Sequence, residues 1–189
     1  MGLCQHKEGK EFYEKLIESD VLPSTSQISP YDFEQAIRRA LDAGEIPVVI
    51  TLSSKLSGTY NSAKLAAEEF DKEVYVIDSE NVCVGEKILV QYALRLVEEG
   101  KSAKEIADAL EIAKKKVCLV ALLDTLEYLR KGGRISNVTG IVGGMLSIKP
   151  VIGIVDGVVG MRRGADDVDI ASQTRLAQEF ASELFIQET

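Results

Sequence analysis

Three short apolar runs, each followed by a stretch with helical spacing, constrain this chain more than any other feature. Residues 46–52, Ile-Pro-Val-Val-Ile-Thr-Leu, are continuous and rich in β-branched side chains. That is the composition of a strand covered on both faces, as in a parallel sheet. Residues 73–78 and 117–122 repeat the pattern. Ahead of the first run, residues 31–44 place Phe33, Ile37, Ala40 and Leu41 on one helical face, with Ser29 as N-cap, Pro30 at the first helical position and Gly44 as terminator. Residues 60–70 and 82–100 read as further helices. Residues 102–116 open with Ser102 and carry Glu105 three places on, a capping box.

Alternation of this kind up to about residue 116 predicts a parallel three-layer α/β domain over residues 1–115. Beyond it the texture changes. Residues 148–161 read as two strands about Asp156-Gly157, a hairpin signal. Residues 124–133 read as a short helix capped by Asp124. Residues 9–20 and 166–187 also carry helical spacing, through Phe12, Leu16 and Ile17 and through Leu176, Phe180 and Leu184. Residues 116–189 are therefore expected to form a second, partial mixed-sheet α+β domain.

Composition narrows the chemistry. The net charge of −8 argues against nucleic acid or an anionic membrane surface as partner. No eighteen-residue apolar run is present, so no membrane span is expected. The opening residues lack the basic-then-apolar order of a signal peptide, which suggests a cytoplasmic protein. Cys4, Cys83 and Cys118 are widely spaced and read as reduced thiols, with Cys83 and Cys118 as small buried hydrophobes. The single histidine, His6, lies in a polar opening segment, so a histidine-based triad or an imidazole zinc site has almost nothing to build on.

Against this background the stretch from Thr51 to Ala63 stands out. Thr51, Ser53, Ser54, Ser57, Gly58, Thr59 and Ser62 crowd the passage from strand to helix. Helix N-termini present unpaired N–H groups and a positive dipole end at the carboxyl edge of a sheet, where α/β folds bind ligands. Hydroxyls add donors, and Gly58 permits close approach or a positive φ. The stretch reads either as an anion cradle or as ordinary helix capping by Ser57 or Thr59. It is not a Walker loop, since Lys55 precedes the glycine. Residues 24–30 repeat the theme with Ser24, Thr25, Ser26 and Gln27 ahead of a helix. Arg134, after Gly132 and Gly133, is a candidate cation aimed inward; Arg130 and Lys131 suit a helix C-terminus. Residues 135–147 are apolar and glycine-rich, either core or the wall of a channel.

In order and spacing, "TSQISP", "SSKLSGTYNSA", "VIDSENV", "DTLEYLRKGGRIS" and "LSIKPV" resemble the DegV family. The resemblance covers most of residues 9 to 160. It implies a two-domain α/β protein that binds one long-chain fatty acid and no further cofactor. It also implies that the chain presents the carboxylate to a separate ATP-dependent fatty acid kinase and is not itself an enzyme. By motif, Thr25 and Ser57 correspond to the residues that hold the carboxylate. Ser26, Gly58 and Thr59 correspond to their neighbours in the cradle, and Arg134 to an arginine near the carboxylate end. Asp78 and Ser79 match a turn read as structural. Family members carry an earlier strand with an Asp-Ser-Thr turn and a later histidine, neither matched here. The expectation is a shortened chain whose bare sheet edges are covered by self-association. Two alternatives stand beside the carrier reading: a relative without carrier activity, and an acyl hydrolase with Ser57 as nucleophile.

Overall fold

The computed structural model describes residues 24–123, 125–135 and 151–161, together with Glu18. Helix α1 spans Pro30–Asp42. The Ser29 hydroxyl accepts the Asp32 N–H at its start, and Gly44 takes a φ of +80° past its end. Strand β1 (Val48–Thr51) leads into α2 (Thr59–Ala67), and β2 (Tyr75–Asp78) into α3 (Val84–Glu98) and α4 (Ala103–Ala113). The Ser102–Glu105 capping box is formed in both directions.

Strands β1 and β2 pair in parallel, with Val48 opposite Tyr75 and Thr51 opposite Asp78. Alternation sends their side chains to two cores. Val49 and Val74 join Ile37, Leu41 and Ala66 of α1 and α2 on one face. Val48, Ile50, Tyr75 and Ile77 join Leu89, Ala93, Leu96, Ile106 and Leu110 of α3 and α4 on the other. The result is a three-layer α/β arrangement.

A 3₁₀ turn, Lys114–Lys116, leads out of α4. Strand β3 (Val120–Leu122), helix α5 (Glu127–Lys131), β4 (Val151–Val155) and β5 (Val158–Met161) follow. The second sheet runs β3-β4-β5, antiparallel throughout its described part. The β4–β5 connection is a two-residue turn in which Asp156 and Gly157 both have positive φ (48° and 78°), the primed geometry that favours Asp-Gly. Ile152, Ile154 and Val159 centre its core.

Two sequence readings change here. Cys83 and Cys118 are exposed, not buried. Cys118, in the extended segment just ahead of β3, alternates with inward Leu119 and Ala121 and so faces outward, while Cys83 sits at positive φ in the turn ahead of α3. The first turn of α5 uses the Thr125 hydroxyl, which accepts the Glu127 N–H. Asp124, the expected cap, lies outside the described residues, as do the helix read at 9–20 apart from Glu18, the helix read at 166–187, His6, Cys4 and the glycine-rich stretch read at 135–147 apart from Ile135.

Candidate functional site

Most hydroxyls between β1 and α2 are committed to named partners. The buried Thr51 hydroxyl donates to the Ile77 carbonyl, stitching β1 to β2. Ser53, fully buried, donates its hydroxyl to the Gly157 carbonyl at 2.6 Å. The Ser54 N–H and the Glu80 N–H share Asp78 Oδ1, at 3.1 and 2.9 Å. The composition therefore serves junctions as much as a cradle. The loop at 52–58 is the seat on which the second sheet rests: Leu56 packs into the Ile152–Ile154–Val159 core, and Lys55 Nζ donates to the Asp156 carbonyl at 2.7 Å.

Ser57 and Thr59 lie at the start of α2. Their hydroxyls are 2.9 Å apart, and Ser57 Oγ accepts the Thr59 N–H at 3.3 Å. Neither caps the helix: the N-cap is Gly58, whose φ of −70° any residue adopts. What sets glycine apart there is proximity to a flexible side chain. A Cβ on Gly58 would fall 1.8 Å from Gln27 Oε1. Gln27 Nε2 also donates to Ser62 Oγ at 3.3 Å. The two hydroxyl-rich loops therefore touch, through a residue two places from Thr25 and one adjacent to Ser57. Thr25 and Ser26 are exposed, and Ser57 is half-buried.

Arg134 is not brought to this junction by a direct contact among the described residues. It is exposed, and its guanidinium donates back to the Gly132 carbonyl in the last turn of α5. The expected inward aim is not seen: Gly133, at φ +71°, closes the helix, and the Arg134 side chain that follows lies on the surface. Its neighbour Ile135 does share the Ile152 core with Leu56, which keeps Arg134 on an element packed against the same cluster as the hydroxyl loop.

Behind the junction the β2–α3 turn gathers charge. Glu80, at φ 52°, meets Lys115 at 2.6 Å and Lys114 at 3.3 Å. The Lys115 bond, aided by Lys114, holds the Glu80 carboxyl below the usual carboxylate range despite partial burial. Burial alone would push the Lys114 ammonium down, yet Glu111 and Glu80 hold it above the usual lysine value. Glu80, Asn81, Lys114–Lys116, Cys118 and the Asp156-Gly157 turn line a cleft of about 210 Å³. A second, mostly apolar groove of about 470 Å³ runs beside β1, between Ile46, Val90, Leu94, Val97 and Ile106. Thr25, Ser57 and Arg134 line neither. Among the described residues no cluster of His, Cys, Asp and Glu could hold a metal, and no helix is long and apolar enough to cross a membrane.

Gln27, Ser53 and Lys55 read from sequence as members of the two loops, without the partners they take here. Only Gln27 had a signal, an amide among hydroxyls; the Ser53–Gly157 bond spans 104 residues and leaves no local pattern.

A family model described as an uncharacterised protein of the DegV family matches residues 5–164. A DegV domain-containing protein of Clostridium perfringens is 38% identical over 152 residues, covering 78% of this chain and 52% of that protein. A fatty-acid-binding DegV family protein from Thermus thermophilus superposes with a TM-score of 0.72 at 35% identity, over 87% of this chain and 61% of that one. A Thermotoga maritima protein described as revealing fatty acid binding function gives 0.73 at 30%, over 92% and 62%. The chain spans about half the length of the curated relatives it matches.

Proposed function

The chain belongs to the DegV family, and from that premise we propose that it binds a long-chain fatty acid whose carboxylate is held by the Thr25 and Ser57 hydroxyls. The observation that carries this reading is the meeting of the two loops at Gln27 and Gly58. It brings the two hydroxyl-bearing segments into one neighbourhood at the carboxyl edge of β1, where a bound anion is favoured. Ser26, Gly58 and Thr59 shape that rim. Arg134, exposed next to Ile135 of the core that Leu56 also joins, is assigned to the transferred phosphate or to contact with an ATP-dependent fatty acid kinase. In this reading the chain carries the acid and presents it, and the chemistry belongs to the kinase.

Among the described residues no base is bonded to the Ser57 hydroxyl, which pairs with that of Thr59, so the hydrolase alternative finds no support. Serine needs a base within hydrogen-bond reach, and Lys55, the nearest lysine in sequence, is engaged by the Asp156 carbonyl. We also propose that a second copy covers the outer edge of β1, which carries no partner strand among the described residues.

The deciding experiment is extraction of the purified, denatured protein followed by mass spectrometry. A released fatty acid is the expected result. A protein that is empty and also refuses added oleate and palmitate overturns the reading.

A further inference from the structure

We infer that Ser53 is a positioning residue for the proposed carboxylate site, an assignment that rests on the reading above. All of its polar atoms are engaged, each with a different segment. Its N–H donates to the Asn81 carbonyl at 2.8 Å, in the β2–α3 turn. Its carbonyl accepts the N–H groups of Leu56 and Ser57, at 3.0 and 3.1 Å. Its hydroxyl donates to the Gly157 carbonyl at 2.6 Å and accepts the Lys55 N–H at 3.3 Å. The residue is completely buried, so none of these bonds is readily replaced by water.

One residue thus fixes the Ser57 backbone to the turn of the second sheet. The fit leaves no slack. A Cβ on Gly157 would stand 2.6 Å from Ser53 Oγ and 3.6 Å from the Glu80 backbone. The Lys55–Asp156 bond closes the same joint from outside. The carboxylate-binding rim and the second sheet are therefore held in one relative placement through Ser53. The Ser57 hydroxyl reaches its binding position only when the Asp156-Gly157 turn is seated.

The test is titration with the fluorescent fatty acid cis-parinaric acid, alongside thermal melts. Ser53→Ala is expected to raise Kd about tenfold, the scale of one lost hydrogen bond's worth of positioning. Gly157→Ala is expected to do the same by displacing the hydroxyl. The double variant Ser53→Ala/Gly157→Ala should bind no worse than Gly157→Ala, because the clashing oxygen is gone. Gly100→Ala serves as control. It imposes the same positive-φ strain (φ +76°) with open space around it, and should lower the melting temperature without moving Kd. Wild-type affinity in Ser53→Ala, with weakened binding in Ser57→Ala, overturns the positioning role alone. Wild-type affinity in Ser57→Ala removes the carboxylate reading and this inference with it. Should Ser53→Ala not fold, unchanged Kd in Gly157→Ala overturns the proposal.

Discussion

Gly58 stands so close to Gln27 that a Cβ on it would lie 1.8 Å from the Gln27 amide oxygen where that side chain now rests. The contact is what brings the loop before α1 onto the start of α2. It uses the tip of a flexible side chain, so Gly58→Ala is accommodated by swinging Gln27 away. The stability cost should be small, about 1 kcal/mol, the value of the Gln27–Ser62 bond lost. The effect on fatty-acid affinity should be larger if the Gln27 contact is what keeps the Thr25 loop at the proposed carboxylate site. Melting curves and ligand titration on the same variant separate the two; equal affinity with wild type would show that the loop contact does not serve the ligand.

Thr25→Ala and Ser57→Ala should each weaken fatty-acid binding by about 1–3 kcal/mol, the range for a hydrogen bond to a charged group. Ser57→Ala also leaves Thr59 without its 2.9 Å hydroxyl partner. Its measured loss should therefore equal or exceed that of Thr25→Ala. Fatty alcohol of the same chain length provides the check. If the hydroxyls bind carboxylate, the variants should discriminate acid from alcohol less than wild type does.

Much of the fold was legible because its signals are local. Ser29, Pro30 and Gly44 bound α1, Ser102 and Glu105 cap α4, and Asp156-Gly157 makes the hairpin, each within a few residues of chain. The site was legible in composition but not in assignment. Hydroxyls that read as a ligand cradle divide their bonds between sheet stitching by Thr51, docking by Ser53 and the Ser57–Thr59 pair. That division depends on which residues the second sheet brings near, and no spacing in the sequence records it. The cysteines failed for a related reason. Apolar neighbours along the chain say nothing about which side of β3 Cys118 faces.

Glu80→Gln should destabilise the protein most near neutral pH, by about 1 kcal/mol, since it removes a charge paired with two lysines, one of them open to solvent. The sign follows from the carboxyl being held below its ordinary value. Its contribution is present above the unfolded carboxylate pKa and is lost as pH falls through the lower folded one. The difference between variant and wild type should therefore shrink below about pH 4.5. Lys114 does not interfere in that window. Its pKa is raised, so its contribution persists across neutral pH and is lost only in the alkaline range. Urea unfolding across this pH range measures the gap; a constant gap would mean that Glu80 acts through shape and not charge.

Helix α3 bears two apolar stripes. Leu89, Ala93 and Leu96 are buried against the sheet, while Val90, Leu94 and Val97 repeat the same spacing on an outer face at 37%, 58% and 58% exposure. A helix apolar over that width is built to be covered on more than one side. The outer stripe borders the groove beside β1, the strand edge that lacks a partner among the described residues. Leu94→Glu places a charge in the middle of that surface and touches none of the residues assigned to the ligand. If a second copy covers the edge, the variant should raise the dimer dissociation constant at least about tenfold, because a buried unpaired carboxylate costs more than one such step. Its melting temperature at low protein concentration should match wild type. Sedimentation velocity over a concentration series reads both chains directly. A wild-type chain that stays monomeric throughout the series would refute self-association at this edge.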